Sequence, residues 1–398
     1  MFFSTPPPVK WSPGYWILLL LWPAAVPAAT LSGDTTHLIQ IVFTSDVHYG
    51  ITRHSFDGDS NVDSHTVNAR MVEKMNHLPS LLLPPDKGVN AGQKVGAVDY
   101  IMIAGDIANR QETPIQSATA SWTQFAHDYL DGITLKDHQG NRAGFLLVAG
   151  NHDVSNAIGY YKQQQPPTDP ASLVGIYNTM LHPAVPKTSA GFHYPADKIN
   201  YSKDIGGIHF LFVNIWPDSA NRIWMEKDLA GIDKRIPVII VAHDPPDGDA
   251  AHFINPNGAH TINAKDRFEN LLEETSKDIQ DTAANPDGKP QNDRIEQEGF
   301  VAFLQAHPNI RAYFHGHNNW NQFYTYTGPG KNIHLAVFRA DSPMKGKFSS
   351  KDETQQSFQL ISIDTATKTL TARECLWNTD PDHPGKDPVW GKSITVAL

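Results

Sequence analysis

The chain has 398 residues, 40% of them hydrophobic and 19% charged, with a net charge of −10. That is ample for a large core in one big domain or two, and it is not the composition of a disordered chain. The acidic balance argues against a nucleic-acid partner, because like charges repel the phosphate backbone. A lone cysteine, Cys375, rules out an intrachain disulfide. Nineteen histidines are many for this length, and imidazole is the commonest metal ligand.

Residues 1–14 carry one charge, Lys10, and Tyr15 to Trp22 is an apolar run softened by Pro23 and Pro27. About 15 apolar residues broken by prolines are short for a membrane span and fit an export signal. Val26-Pro27-Ala28 offers a cleavage site; removing 1–28 takes away Lys10 alone. The expected products are a signal peptide, 1–28, and a single domain, 29–398, that is secreted or periplasmic and keeps no membrane span.

Short apolar runs then recur, each ending in polar residues. Residues 38–43 run into Asp46-Val47-His48, and 98–104 into Gly105-Asp106. Residues 145–149 run into Gly150-Asn151-His152-Asp153, and 208–213 into Asn214. Residues 238–242 run into His243-Asp244, and 310–314 into His315-Gly316-His317. The runs are too short for helices and rich in β-branched and aromatic residues, so they predict buried strands. Helices are expected at 65–77, 116–130, 221–230, 264–279 and 292–306. Alternation of this kind implies an α/β sandwich, whose ligand site lies beyond the carboxyl ends of the strands. The turn residues around 244–293 mark a loop-rich insertion over the site. Residues 358–363 and 370–374 predict a closing hairpin.

The polar clusters offer carboxylate, imidazole and amide oxygen but no thiolate. That donor set suits Mn, Fe or Zn and not a structural thiolate zinc site. Residues i and i+2 of a strand share a face, so Asp46 and His48 reach one ion if the strand continues. Gly105, Gly150 and Gly316 allow sharp turns beneath a bound ion or anion.

In its ordered set D-x-H, G-D, G-N-H-D, H and G-H, spread over about 38–320, the chain resembles the calcineurin-like metallophosphoesterase superfamily. The resemblance implies a four-layer α/β/β/α sandwich of two mixed sheets flanked by helices. It also implies two divalent metal ions and hydrolysis of phosphomonoesters or phosphodiesters by a metal-bridging hydroxide. Carried over by position, Asp46 and His48 bind the first ion and Asp106 bridges both. Asn151, His243 and His317 bind the second ion, with Asn151 also near substrate. His152 is the general acid or transition-state donor. Asp153 either orients His152 or serves as a cap or ion-pair partner. Arg110 either binds phosphate or forms a surface ion pair.

Two departures stand out. The family's last histidine is replaced by Asn319, an amide oxygen that is a weaker and harder ligand than imidazole. Either Asn319 ligates and tilts the first site towards Mn or Fe(II), or a water or a neighbour such as His315 fills the place. Asn109 stands where purple acid phosphatases carry a tyrosine ligand, so no tyrosinate chromophore is expected. Of the remaining side chains, Tyr49 is expected to pack, and His54, His65, His182, His193 and His252 to face solvent. Trp320 and Tyr324 are expected to pack or to line a cleft for a sugar or aromatic leaving group. The substrate is a small-molecule or envelope phosphoester. Alternatives are an exported carbohydrate- or envelope-binding protein that retains a structural metal site, and a metal-dependent amidase.

Overall fold

Leu38–Thr44 (β1) is apolar on both faces because both faces are covered. Ile41 and Phe43 point into one core and Val42 into another. A strand buried on both sides loses the polar alternation of a half-exposed one. Gln40, polar and fully buried within it, donates to the carbonyls of Val95 and Ala97. The computed structural model describes Met1 and residues 37–109, 116–154, 169–194, 196–249, 252 and 294–398. The expected signal beyond Met1, the helix at 264–279, Arg110 and most of the 244–293 insertion lie outside the described residues. Thr35–Leu398 form one compact unit.

After β1 come a hairpin of Thr52–Phe56 (β2) and Asp59–Asp63 (β3) and the helix Ser64–His77 (α1). Next are Tyr100–Ala104 (β4), Ala118–Phe125 (α2), Gly144–Val148 (β5), the single turn Asn151–Val154 (α3) and Ala171–Leu181 (α4). Tyr201–Ile205 (β6), Ile208–Phe212 (β7), Ser219–Leu229 (α5) and Val238–Val241 (β8) follow, then Arg294–Ala306 (α6) and Ile310–His315 (β9). Gln322–Tyr326 (β10), Leu335–Arg339 (β11), Ser357–Asp364 (β12), Thr369–Leu376 (β13) and Val389–Ala397 (β14) complete the chain. Side-chain caps start the helices: Asp63 accepts from Thr66 N at 3.0 Å and Asp218 from Asn221 N at 2.8 Å. The helix expected over 116–130 is two pieces, since α2 passes into a π-helical turn, Ala126–Asp131.

One sheet runs β14-β13-β12-β1-β4-β5 and the other β10-β11-β9-β8-β7-β6. Strands β1, β4 and β5 are mutually parallel, as are β7, β8, β9 and β11. The predicted closing hairpin is β12–β13, with Ile361 opposite Ala372. Between the sheets Ile41, Phe43, Met102 and Val148 meet Phe210, Phe212, Val241 and Phe314. Phe43 and Phe314 pack edge to face at 5.1 Å. Helices α1, α2 and α4 lie on the side of β5. Helices α5 and α6 lie against the other sheet, through Asp228 with Ser202 and Phe300 with Tyr313. The result is the expected α/β/β/α layering. No helix among the described residues is long and apolar enough to cross a membrane.

Candidate metal centre

The carboxyl ends of parallel strands from both sheets meet at one place. Residues 45–48, 105–106 and 150–152 leave β1, β4 and β5, while 243–244 and 316–319 leave β8 and β9. The strand β1 ends at Thr44, so Asp46 and His48 do not share a strand face as the sequence predicts. Both adopt left-handed backbone, φ 55° and 46°, with Val47 between them. Asp106, His317 and Asn319 do the same, at φ 55°, 64° and 62°. Each such residue costs roughly 1 kcal/mol or more and persists only where its surroundings over-determine it. Here Asp46 N donates to Gly105 O at 3.0 Å and His48 N to Asp106 O at 2.9 Å, lacing the two loops together.

The glycines act differently from the expectation of sharp turns. Only Gly105 among the three has a left-handed backbone, at φ 88°. Gly150 and Gly316 are there for clearance. A Cβ on Gly150 would collide with the Asp106 carboxylate, and one on Gly316 with Ser45 Oγ and Asp46 Oδ2.

Asp106 lies in the middle. Its Oδ2 is 3.4 Å from His243 Nε2 and 3.7 Å from His48 Nε2, and its Oδ1 accepts the His152 amide at 2.8 Å. Asp46 Oδ1 is 3.6 Å from His48 Nε2, and Asp46 Oδ2 accepts the His317 amide at 2.9 Å. Asn151 Oδ1 lies 2.9 Å from His243 Nε2 and 3.2 Å from His317 Nδ1. His243 Nδ1 donates to Ala104 O at 2.6 Å, which turns Nε2 to the centre. Oxygens of Asp46 and Asp106 and a nitrogen of His243 all lie within 4.8 Å of one another.

Buried polar atoms normally find partners. Here Asp46 Oδ1, both His48 ring nitrogens and Asn319 Oδ1 are buried with no hydrogen-bond partner among the described residues, while Asn319 Nδ2 donates to His317 O at 2.8 Å. Oxygen and imidazole donors left open around a shared carboxylate fit a divalent cation. Charge tells the same story. Burial pushes the Asp106 carboxyl up, but the neighbouring His243 and His152 outweigh it and hold the group well below the usual range. Burial pushes His243 down, and Asp106 more than reverses this. His317 rises to about 9, the hydrogen bond to Asp249 overcoming burial. Without metal, protons on these imidazoles balance the carboxylates, so cation binding must release protons.

Asp153 lies beneath the site. Its Oδ2 accepts from Ile107 N at 3.1 Å and Gly150 N at 2.9 Å, and its Oδ1 from Ala108 N at 2.9 Å and Ser172 Oγ at 2.6 Å. Buried loop amides need an acceptor, and this carboxylate is it. Burial and the Asp106 charge raise it to about 6. With these four bonds it braces the loops.

Three further expectations resolve. His315 does not fill the place of the missing histidine, since its nitrogens meet Gly316 O and Tyr324 OH, each at 2.9 Å. His252, expected in solvent, is buried at 6% exposure with Nδ1 2.6 Å from Asp244 Oδ2 and its ring 4.9 Å from His317. His54, His182 and His193 are exposed as expected, His65 is half-buried, and Tyr49 packs at 0% exposure.

Sequence reasoning missed four groups. Asp244 and Asp249 each combine with His317, and His252 joins them, in donor groups able to hold a cation. Only the adjacency of Asp244 to His243 hinted at this. The fourth is Lys345, whose Nζ lies 3.3 Å from His152 Nε2. The loop bearing it is fixed by Ser342, whose Oγ donates to Asp46 O at 2.7 Å and accepts from Lys345 N at 2.9 Å. Burial, then Lys345, hold His152 well below the ordinary imidazole range. Beside His317, Trp320 and Tyr324 do line a cavity of about 430 Å³, with Asp247, Asp249, Asn318 and Arg339. Arg339 stacks 3.4 Å over Trp320.

The sequence model of the calcineurin-like phosphoesterase family matches residues 39–320, and the chain belongs to that family. It is therefore a metal-dependent phosphoric ester hydrolase acting on phosphoesters. Similar solved structures include a dimetal phosphatase from Danio rerio, 10% identical with TM-score 0.49, covering 90% of this chain and 98% of that one. A phosphopantetheinyl hydrolase from Mycobacterium tuberculosis is 12% identical with TM-score 0.33, covering 77% and 91%. Vps29 from Chaetomium thermophilum is 9% identical with TM-score 0.32, covering 90% and 95%. No curated protein matches the chain.

Proposed function

We propose that this chain is an exported phosphoesterase that hydrolyses phosphomonoesters or phosphodiesters, of small molecules or of the cell envelope, at a centre of two divalent ions. Asp46, His48 and Asn319 hold the first ion, Asn151, His243 and His317 the second, and Asp106 both. The observation that carries this reading is the set of unpartnered buried atoms, Asp46 Oδ1 and the His48 nitrogens, around Asp106. Mn, Fe or Zn suits such donors.

When bound, the ions supply water activation near neutral pH and offset phosphoryl charge. The chain supplies the rest. The His152 amide pins one oxygen of Asp106 and leaves the other facing His48 and His243. The His152 imidazole, neutral without substrate, gains basicity beside a phosphate anion, takes up a proton from solvent and gives it to the leaving oxygen. Lys345 gives a point charge for a non-bridging oxygen, and Arg110 adds a planar donor fork. Export rests on the apolar run Tyr15 to Trp22 and the small residues at 26–28.

The test is the initial hydrolysis rate of an aryl phosphate monoester and an aryl phosphate diester by Mn-loaded protein. Faster diester turnover makes this a phosphodiesterase and faster monoester turnover a phosphatase. No turnover of either with two ions bound overturns the reading. Recovery of chains beginning at residue 29 outside the cytoplasm tests export; intact chains retained inside would refute it.

A further inference from the structure

We propose that His65, His127 and Asp128 form a separate site for a zinc-type divalent cation, outside the phosphoesterase centre. His65 stands in the first turn of α1, while His127 and Asp128 lie in the π-helical turn Ala126–Asp131. His65 Nδ1 is 2.7 Å from Asp128 Oδ2, and His127 Nδ1 is 2.9 Å from Asp128 Oδ1. The two rings are 5.9 Å apart. Three donor atoms, one from each residue, lie within 4.8 Å of one another.

Two imidazole nitrogens and one carboxylate oxygen are the donor set of an open zinc site, completed by water. In tetrahedral zinc geometry such donors sit about 3.3 Å apart. The His127–Oδ1 pair must open by roughly half an ångström to reach that spacing, and the His65 ring must swing from Oδ2 towards the same point. The rings are free to do so, since the side chains of His65 and His127 are 44% and 75% exposed. The anchor is not. Asp128 is buried at 4% exposure and its Oδ2 accepts from Tyr49 OH at 2.7 Å, which leaves Oδ1 as the ligand oxygen.

A second, independent observation is the space beside the cluster. A cavity of about 430 Å³ opens over His65, His127 and Asp128, with Glu73 and His77 on its wall. The fourth coordination position thus has an open hollow beside it, not packed side chains. The π-helical turn contributes as well. Turns of this kind insert an extra residue into a helix and often accompany functional sites. Here the turn brings the consecutive residues His127 and Asp128 to bear on one point.

The site also touches the phosphoesterase centre mechanically. Tyr49, which Asp128 holds, follows His48 directly, and Tyr129 OH donates at 2.9 Å to Asn68, which in turn donates to Val47 O. A cation here stiffens the loop that carries Asp46 and His48 without sharing a ligand with it.

The experiment counts zinc equivalents on the full chain by competition with a chromophoric zinc indicator, comparing wild type with His127→Ala and His65→Ala. Each variant is expected to lose one equivalent, or at least tenfold in the affinity of one, while the other equivalents stay unchanged. Wild-type equivalents in both variants would overturn the proposal. So would loss of every equivalent, which would make these residues supports of the main centre. Both substituted side chains are substantially exposed, and an unchanged melting temperature in excess chelator shows that folding is intact. Cobalt substitution adds a signature: the wild type should gain a tetrahedral absorption band that His127→Ala lacks.

Discussion

The ammonium of Lys345 sits 3.3 Å from Nε2 of His152, while the His152 amide donates to Asp106 at 2.8 Å. One residue therefore links the shared carboxylate to a cation that arrives from a distant loop. Lys345 lowers the basicity of both His152 and His48, after burial itself. Removing that charge, as in Lys345→Met, is expected to raise His152 towards its ordinary value of about 6.5. The inflection of kcat/KM against pH assigned to His152 should move to higher pH. Activity should fall about 10–100-fold, as for loss of one charge-stabilising donor. Metal content should stay constant. No upward shift in the profile would remove Lys345 as the cause of the low basicity.

Asp106 faces both halves of the centre, so its loss should be felt at both. Asp106→Asn keeps the shape and removes the charge. Metal analysis is expected to find less than one ion per chain, with activity down more than about 100-fold. Retention of two ions would show that Asp106 is not shared.

Gly150 gives a test of geometry alone. Its added Cβ in Gly150→Ala meets the Asp106 carboxylate and the Asp106 amide. Overpacking of that kind costs about 1–3 kcal/mol. Denaturant unfolding should show this loss, and metal affinity should fall with it. Gly231→Ala is the control, since a Cβ there meets nothing within 4 Å. Equal behaviour of the two variants would sink the clearance argument.

Far from the centre, Asp86 pairs with the buried Arg373 through two contacts of 2.8 Å. Burial pushes the Asp86 carboxyl up, but the Arg373 guanidinium brings it down to about 2. An acid with a depressed folded value stabilises the fold above its unfolded value, near 3.9, and loses that contribution as pH falls through about 2. Asp86→Asn is expected to cost about 2 kcal/mol at neutral pH, less than a fully buried pair would. Arg373 keeps Ser362 and Val89 as acceptors, and Asp86 is partly exposed. The acid limb of the stability curve should flatten in the variant. An unchanged slope between about pH 4 and 2 would assign that limb elsewhere.

The strands and the order of the clusters were legible because each ligand group follows a strand buried on both faces. Apolar runs with abrupt polar ends are hard to produce otherwise. The conformation of the ligands was not legible, since Asp46-Val47-His48 reads as strand continuation while φ turns left-handed at both ends. The loop amides that donate to Asp153 were not legible, because sequence adjacency to His152 says nothing of them. Lys345 gave no signal, as it follows no strand end and belongs to no motif. Helix α4 gave none either. Its Gly175 is the point where α4 meets the Trp122 ring of α2, which a Cβ would strike.

The candidate ligands follow strands of both sheets. Asp46, His48, Asp106 and Asn151 follow strands of one sheet, His243, His317 and Asn319 strands of the other. Neither sheet can assemble the centre alone. An unfolded chain offers scattered histidines but no place where these donors meet, so the full affinity for a cation would appear only when the sandwich closes. A cation bound there would work as a rivet through both sheets, its binding energy adding to the stability of their union.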